Sequence, residues 1–520
     1  GADGLIEKGR ENLLLQSNQF DTTWLNTSTT ETGGQTGYDG SSDAWKIERV
    51  GTGGYIYQDI SVSGVNTISV YAKADTLNWM RLRVGSAPKN SRYFDLENGV
   101  IGSAGTAPID AKIEAVGTDG WYRCSITTNI SIDRVYFYPV PNDGDISGTS
   151  GNILIQDAQF EIGTLATDYI ESGATTGKAG VLEDEPRFDY SGGATCPSLL
   201  LEPSRTNYIR HSEYINESVA SWSRFFSTII TNNDAISPDG KNNATKIECP
   251  IGQNARIDAI VVGLAAGTYT YSFYAKGNVS NLDVNIYEDA TGDTLSSTAI
   301  ETLINDSEWS RVDITFTSTT SSTIRCIYTA LTAGEYFYLW GAQLELGSYP
   351  TSYIPNHSGG SVTRGADAMD EQISGLTSLD KGTFFVDFDR GLTTATSRDI
   401  STQGLYYEIL NTFAGLNQGI EIATNADGSI RAAVRTSSGF SSLYTNNTLS
   451  RFKILYKWSG TELKVFVNGS SVYSNSTKWG EITSALQYIG YNADFRKSIN
   501  QVLVFTEALS DADCITLTTL

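Results

Sequence analysis

Histidine, methionine and closely spaced cysteines are scarce in this chain, and each shortage excludes a class of site. The 520 residues contain only 2 His and 2 Met, and their 5 Cys form no Cys-x-x-Cys pair. The sequence therefore lacks the ligand spacing of a His/Cys zinc centre and the cysteine density of a disulfide scaffold. Cys124 and Cys326 stand inside strand-like runs, so we expect buried free thiols.

Positive charge and long apolar runs are also in short supply. Lys and Arg number 36 against 59 Asp and Glu, which gives a formal net charge of −23. Such a chain repels phosphate backbones, so we expect no nucleic-acid partner. No apolar run reaches the roughly 18 residues that a spanning helix needs, so we expect no membrane insertion. The sequence predicts no signal peptide, and a start at Gly1 rather than Met is typical of a trimmed or cleaved N-terminus.

Glycine and aromatic residues are plentiful, with 50 Gly, 28 Tyr and 19 Phe. Apolar and polar residues alternate in short runs that end in Gly, Asn or Asp, and no helical period is visible. This pattern is typical of antiparallel strands joined by tight turns. At roughly 150 residues per domain, the length predicts three or four domains.

The chain contains an internal duplication. LIEKGREN, SVYAKA, WYRCSIT and DAQFEIG recur in the same order as LLEPSRTN, SFYAKG, WSRVDIT and GAQLELG. The two copies span about 12–172 and 207–356. Residues from about 371 do not repeat the pattern, and their hairpin turns at Asp427-Gly428 and Asn468-Gly469 predict a second kind of β-sandwich.

The sequence thus predicts an all-β protein of three antiparallel β-sandwiches in series, two repeated jelly rolls followed by one different sandwich. We also expect the LLLE segment, residues 199–202, to dock on the second module. The predicted plan is an N-terminal linker remnant 1–12, jelly-roll module 13–172, linker 173–206, jelly-roll module 207–356, linker 357–370 and a third sandwich 371–520.

Several of these motifs resemble bacteriophage proteins. WYR…SIT, VYFYPVPNDG and DAQFEIG…DYI resemble the carbohydrate-binding-module-like jelly-roll repeats of tailed-bacteriophage tail and head fibre proteins. RFDYSGGATCPSLLLEPSRTN and VTRGAD resemble the segments that flank such repeats. RFKILYKWSGTELKVFVNGSSV and INQVLVFTEALSDAD resemble a concanavalin A-like, laminin-G-type sandwich, a fold that hosts many functions.

The resemblance implies a non-enzymatic structural protein of a virion, made in the host cytoplasm. It would be a tail or head fibre or appendage that presents glycan-binding modules for host adhesion. The implied partners are a bacterial surface polysaccharide, other virion proteins and further copies of the chain in a homo-oligomer. Two alternatives stay open: a purely architectural spike or decoration protein, and an accessory polysaccharide-binding part of a secreted glycan-degrading enzyme.

Catalytic residues are not evident in the sequence. Concanavalin A-like glycosidases carry paired carboxylates, but no Glu-x-Asp-x-x-Glu spacing occurs. His211 opens a module and His357 lies in a linker, which suits no Ser/His/Asp triad. We therefore expect no enzyme and read the nearest candidates as solvated strand carboxylates: Asp387, Asp389, Glu408 and Glu421.

A glycan-binding face is predicted on the first module. In WMRLRV, period two places Trp79, Arg81 and Arg83 on one face of a strand and the apolar residues on the other. Tyr136 and Tyr138 are expected on the same sheet face. An aromatic ring beside guanidinium groups suits a sugar chain, preferably an acidic one. The alternative is that Trp79 covers the sheet or packs on a neighbouring module.

The second copy has short polar residues at the matching positions, namely Asn281, Asp283 and Asn285. Carbohydrate-binding jelly rolls often hold one structural Ca²⁺, and Asp157 resembles a ligand position, although its counterpart is Gly341. We expect no required cofactor and take Asp157 as the candidate ligand of a structural calcium. Two tryptophan positions recur in both copies: Trp24 matches Trp222, and Trp121 matches Trp309. All four side chains are expected to pack in the core or at module corners.

Overall fold

The chain folds into antiparallel β-sandwiches in series, as the sequence predicts. The computed structural model describes residues 5–182, 185–190, 197–216, 219, 221–250, 255–329, 332–372, 380–389, 407–411, 419–424, 429–436, 439–446, 449–460, 462–477, 488–492 and 497–520.

The first sandwich encloses its core between two sheets that have six strands each in the described ranges. One sheet has the order β10-β11-β6-β13-β4-β3 and the other β2-β5-β12-β7-β8-β9, while β1 pairs with β14. The strands are β1 Arg10–Asn12, β2 Leu25–Thr27, β3 Thr29–Gln35, β4 Ala44–Arg49, β5 Tyr55–Val62, β6 Val65–Ala74, β7 Trp79–Val84, β8 Asn90–Asp95, β9 Val100–Ala104, β10 Asp110–Val116, β11 Trp121–Asn129, β12 Ile132–Val140, β13 Gly151–Ile162 and β14 Gly177–Ala179.

The segment that follows contributes β15 Phe188–Asp189 and β16 Ser198–Leu201. The second sandwich then repeats the design with two sheets, each five-stranded where the structure describes it. Their orders are β18-β21-β26-β23-β24 and β19-β20-β27-β22-β25, and β17 pairs with β28. The strands are β17 Arg205–Asn207, β18 Trp222–Phe226, β19 Ile229–Ala235, β20 Ala244–Glu248, β21 Ala255–Leu264, β22 Gly267–Gly277, β23 Asp283–Glu288, β24 Asp293–Ala299, β25 Ser310–Ser318, β26 Ser322–Thr329, β27 Tyr336–Leu346 and β28 Val362–Arg364.

The third sandwich combines the sheets β15-β16-β39-β30-β35-β36-β37 and β29-β38-β31-β32-β33-β34. Its further elements are β29 Ala368–Gln372, β30 Lys381–Asp389, β31 Tyr407–Asn411, β32 Gly419–Thr424, β33 Ile430–Thr436, β34 Gly439–Asn446, β35 Arg451–Ser459, β36 Glu462–Val467, β37 Ser470–Asn475, β38 Tyr488–Asn492, β39 Lys497–Phe505 and α1 Asp511–Thr518. No helix among the described residues is long and apolar enough to cross a membrane.

The predicted docking of the LLLE segment on the second module is wrong. Leu199 pairs with Ile499 of β39, and Leu201 is buried in the core of the third sandwich. Burial of this leucine in a distant core supplies the driving force, which sequence spacing does not reveal. Glu202 contacts the end of the second sandwich, where its carboxylate accepts a hydrogen bond of 2.8 Å from the backbone N–H of Ser352.

The N-terminal segment joins the first two sandwiches. The N–H of Ile6 donates to the carbonyl of Pro238 at 2.8 Å, and Lys8 Nζ lies 2.9 Å from Glu213 Oε1. From the other side, the N–H of Val65 donates to the carbonyl of His357 at 3.0 Å. These contacts bring the end of the first sandwich against a loop region of the second.

Several smaller predictions can be compared with the structure. Cys124 and Cys326 are fully buried free thiols, while Cys196 lies outside the described residues. The turn at Asn468-Gly469 has left-handed φ values of 47° and 79°, as a tight hairpin of this kind requires, whereas Asp427-Gly428 lies outside the described part.

The recurring tryptophans are less uniform than predicted. Trp24 and Trp222 are buried, and their indole N–H groups donate to the carbonyls of Gln16 and His211, at 3.0 and 3.3 Å. Trp121 is buried as well. Trp309 is only half-buried and packs at a corner of the second sandwich, against a cluster that includes Ile6 of the N-terminal segment. Its indole N–H donates to the carbonyl of Ile236 at 3.0 Å.

Candidate functional site

The five residues proposed from the sequence lie together on the outer face of one sheet. In the ladder between β12 and β7, Tyr138 is opposite Arg81 and Tyr136 is opposite Arg83. Trp79 is the first residue of β7. The period-two interpretation of β7 is confirmed on its other side, where the apolar side chains are fully buried: Met80, Leu82 and Val84.

The arginines lie over tyrosine rings. The guanidinium carbon of Arg83 is 4.4 Å from the ring centre of Tyr136, and Arg83 Nη1 donates to the hydroxyl of Tyr138 at 3.2 Å. Arg81 lies between Tyr138 and Tyr93, at 5.3 and 5.4 Å from their ring centres. Cation–π contacts of this kind fix the guanidinium groups in place.

This arrangement changes what the face presents to solvent. Tyr136 and Tyr138 are each only 4% exposed, because guanidinium groups and neighbouring rings cover them. Burial raises the pKa of Tyr138, against the opposing effect of Arg83 and Arg81. The tyrosines therefore lie between the core and the arginines. The side chains that a ligand can reach on this face are the half-buried Arg81, Arg83 and Trp79.

The two arginines carry uncompensated positive charge. Arg81 Nη2 donates to Ser91 Oγ at 3.1 Å, and Arg83 bonds Tyr138 and the carbonyl of Ser86. Among the residues that the structure describes, neither arginine forms an ion pair with a carboxylate, and neither Nε atom has a partner. In a protein of net charge −23, this is a local positive region.

Sequence reasoning missed part of the face. Tyr57 carries the guanidinium of Arg134 at 4.1 Å from its ring centre, and Arg134 also pairs with Asp59. Tyr55 lies 4.8 Å from Tyr138 between ring centres. The alternation of Tyr55 and Tyr57 in YIYQD was the available signal, but only the pairing of β5 with β12 places them beside the predicted residues.

Trp79 forms one end of the face and is partly covered. A Cβ atom on Gly102 would lie 2.5 Å from Trp79 Cζ3 and 2.7 Å from Asp143 Oδ1, so this glycine allows close packing against the indole. Asp143 is held by the backbone N–H and hydroxyl of Ser103, at 2.8 and 2.7 Å. The indole is thus a fixed wall beside the arginines.

The corresponding face of the second sandwich has its cations paired. Asp283 and Asn285 stand where the first copy has Arg81 and Arg83, and Asn281 is exposed. Nearby, Arg256 donates two hydrogen bonds of 2.7 Å to the buried Asp258. Arg325 lies 3.9 Å from Asp258 and 2.7 Å from Asp289.

Asp157, the predicted calcium ligand, sits at a β-bulge of β13 with a left-handed φ of 53°, which matches the φ of 64° at Gly341. Tyr38 Oη donates to its carboxylate at 2.8 Å. The described residues contain no group of three or more His, Cys, Asp or Glu placed to hold a metal ion. A structural calcium at Asp157 stays a prediction.

The charge on Asp157 is disfavoured in the fold. Burial raises the pKa of Asp157 to about 6, against the hydrogen bond from Tyr38, and the nearby Asp43 and Asp39 repel it further. A carboxyl group with this pKa is close to half protonated in weakly acidic solution. Asp157 is thus a source of pH dependence in the first sandwich.

The carboxylates considered for catalysis are held in structural contacts. Asp387 is 5% exposed and accepts from Arg451 Nη2 at 2.8 Å and from Asn500 Nδ2 at 3.1 Å, while Asp389 accepts from the same amide at 2.9 Å. The interpretation of Asp387 as solvated is wrong, because a cation from β35 covers it. Glu421 is likewise buried in an ion pair with Arg431, and the side chain of Glu408 lies outside the described part.

The chain has only slight likeness to proteins of known structure, and no family model and no curated protein matches it. The binding domain of botulinum neurotoxin serotype D is 16% identical at a TM-score of 0.23, over 29% of this chain and 40% of that one. TmCBM61 in complex with beta-1,4-galactotriose is 15% identical at a TM-score of 0.23, over 27% and 99%. The enzymatically active domain of bacteriophage CBA120 tailspike protein 4 is 12% identical at a TM-score of 0.22, over 27% and 21%. The chain thus spans about two fifths of the neurotoxin binding domain, and its function has to be argued from its own residues.

Proposed function

We propose that this chain is a non-enzymatic adhesion protein whose first sandwich binds acidic polysaccharide on the face around Arg81 and Arg83. The observation that carries the proposal is that two adjacent guanidinium groups, without a carboxylate partner in the described residues, lie on the outer face of a net-negative protein. Guanidinium groups bind carboxylates in a planar, two-point geometry that suits uronic or sialic acid residues.

Preorganisation favours binding at this face. Long arginine side chains normally lose conformational entropy when they are immobilised. Here the tyrosines hold both guanidinium groups before any ligand arrives. Residues two apart on a strand are spaced by about 7 Å, which suits successive groups along a sugar chain. Trp79 is the stacking platform at one end, Arg81 and Arg83 are the donors, and Tyr136 and Tyr138 position them.

At the level of the particle, we propose a bacteriophage tail or head fibre or appendage that displays this face to a bacterial surface polysaccharide. Several sandwiches in one chain offer several surfaces for such display. Weak sites become strong adhesion when many copies act together, so a homo-oligomer bound to other virion proteins would raise the effective concentration of the face.

A purely architectural role is the second candidate, and one observation favours it. The rings of Tyr136 and Tyr138 are already covered, and Trp79 is in contact with Gly102. Side chains that contact one another in this way can stiffen the sheet without any ligand. In that case the arginines would act only as covers for the tyrosines.

Retention of the full chain on polygalacturonate, with neutral dextran as reference, tests the proposal. Arg81→Gln/Arg83→Gln should weaken retention on polygalacturonate by about tenfold or more, because each charge-assisted hydrogen bond contributes about 1.5–3 kcal/mol. The matched control is Lys73→Gln/Lys112→Gln, which removes two charges from the other sheet of the same sandwich. Equal retention by the two double variants would support the architectural role.

A further inference from the structure

A cavity of about 530 Å³ lies at the junction of the first and second sandwiches, away from the arginine face. Its walls come from the N-terminal segment 5–11, from residues 161–167 at the end of the first sandwich, from residues 178–182, and from loop residues of the second sandwich. A volume of this size is within the range of small-molecule sites.

Four buried polar groups in the wall of this cavity lack partners in the described part of the chain. They are the hydroxyl of Thr164, the amide oxygen of Asn243, Nδ1 of His357 and Nη1 of Arg10. Thr164, Asn243 and His357 are 3%, 4% and 8% exposed, respectively, and Arg10 is half-buried. Buried polar atoms are rarely left unsatisfied in folded proteins, so four around one cavity indicate a polar occupant.

The neighbouring contacts define what the free atoms can do. Asn243 donates its amide N–H to Glu213 at 3.0 Å, which leaves its oxygen as an acceptor. His357 Nε2 lies 3.9 Å from Glu213, and burial lowers the pKa of His357 although Glu213 opposes the effect. The neutral imidazole is therefore favoured near pH 7, and its unpartnered Nδ1 can accept or donate according to the tautomer. Thr164 can donate or accept.

Charges of both signs line the cavity and nearly balance. Glu213 and Asp239 both bind Lys8, and Lys241 pairs with Asp168. The other charged residues of the wall are Arg10, Lys178, Glu7, Glu11 and Glu161. The polar side thus offers an amide acceptor, a hydroxyl, an imidazole nitrogen and a guanidinium N–H donor. Apolar side chains from the N-terminal segment and the end of β13 form other parts of the wall: Leu5, Ile6, Leu13 and Ile162.

We propose that this junction is a second binding site, for a neutral mono- or disaccharide, formed only where the two sandwiches meet. Sugar hydroxyls would donate to Asn243, accept from Arg10 and exchange hydrogen bonds with His357 and Thr164, and the CH face of the ring would lie on the apolar wall. The proposal does not depend on the arginine face, because Arg81 and Arg83 lie outside the wall of this cavity.

Saturation-transfer NMR on the full chain tests the site with D-glucose, D-galactose, N-acetylglucosamine and cellobiose as probes. Wild type should bind at least one probe. Thr164→Val should weaken that binding by about tenfold without lowering the melting temperature, since the hydroxyl has no protein partner to lose. Thr164→Ser keeps the hydroxyl and should retain binding.

The duplication supplies a matched control. Ser348 stands in the second copy where Thr164 stands in the first, just after the glycine that ends the last strand, and it does not line the cavity. Ser348→Ala should leave binding unchanged, as should Lys73→Gln/Lys112→Gln, since none of these positions lines the cavity. Absence of binding to every probe, or equal binding by wild type and Thr164→Val, would overturn the site and leave water as the occupant. Neither result would affect retention on polygalacturonate, which tests the arginine face alone.

Discussion

Arg134 of the first sandwich and Arg325 of the second occupy the same position on equivalent strands, β12 and β26, but they contact different partners. Arg134 lies over the ring of Tyr57 and pairs with Asp59 of the neighbouring strand. At the position of Tyr57 the second copy has Asp258, which contacts Arg325 and Arg256. Strand pairing is the same in both cases, because β12 lies between β5 and β7 as β26 lies between β21 and β23.

The comparison extends across the whole sheet. Core-facing residues of β7 and β23 are buried alike, whereas the outward positions differ in chemistry. Rings hold Arg81 and Arg83 of the first copy without a carboxylate among the described residues, whereas carboxylates bind Arg256 and Arg325 of the second. The two copies therefore share a fold but present different side-chain chemistry on this face.

The largest expected effect concerns the paired tryptophans. Trp121→Ala should lower the free energy of unfolding by about 3–5 kcal/mol, because it truncates a fully buried aromatic side chain. Trp309→Ala should cost about 1 kcal/mol, because that ring is half-exposed. Urea denaturation of both variants measures the difference, and equal losses would show that the two positions are packed alike.

Removal of the carboxylate that holds the cations of the second face should have the next largest effect. Asp258→Ala leaves Arg256 and Arg325 without this partner and should cost about 2 kcal/mol, less than a fully buried pair because both arginines reach solvent. Tyr57→Leu is the matched change in the first copy and should cost about 1 kcal/mol. A larger loss from Tyr57→Leu would reverse the proposed roles of ring and carboxylate.

Asp157 should make the first sandwich less stable as pH rises. Its pKa is about 6 in the fold against a usual value of 3.8, so the folded state binds more protons between these values and stability falls from about pH 4 to pH 7. Asp157→Asn should be about 1–2 kcal/mol more stable than wild type at pH 7 and equal to it at pH 4. Asparagine also tolerates the left-handed backbone at this position. A difference that does not change with pH would exclude the carboxyl group as its source.

A small effect on stability is expected at Trp79. Trp79→Ala should cost about 1 kcal/mol, because the indole is half-buried against Gly102, and should weaken retention on polygalacturonate several-fold. Melting temperature and retention are measured on the same samples. A lowered melting temperature with unchanged retention would identify Trp79 as packing alone.

The sequence was sufficient for the strands and the duplication, because both are recorded in local periodicity and repeated motifs. It predicted that Tyr136 and Tyr138 face outward with Arg81 and Arg83. It did not predict that the arginines cover the tyrosines, since this depends on the register of two distant strands. The position of Leu201 in the third core was missed for the same reason: period and composition do not specify which distant sheet a segment joins.

The central claim is that outward residues alone distinguish the two copies in binding. Arg81→Asp/Arg83→Asn places in β7 the residues that β23 of the second sandwich has at the matching positions, Asp283 and Asn285. Retention on polygalacturonate should fall by about tenfold or more, with the melting temperature lowered by only a few degrees, because both sites are half-buried and on the surface. Unchanged retention by this variant would contradict the account.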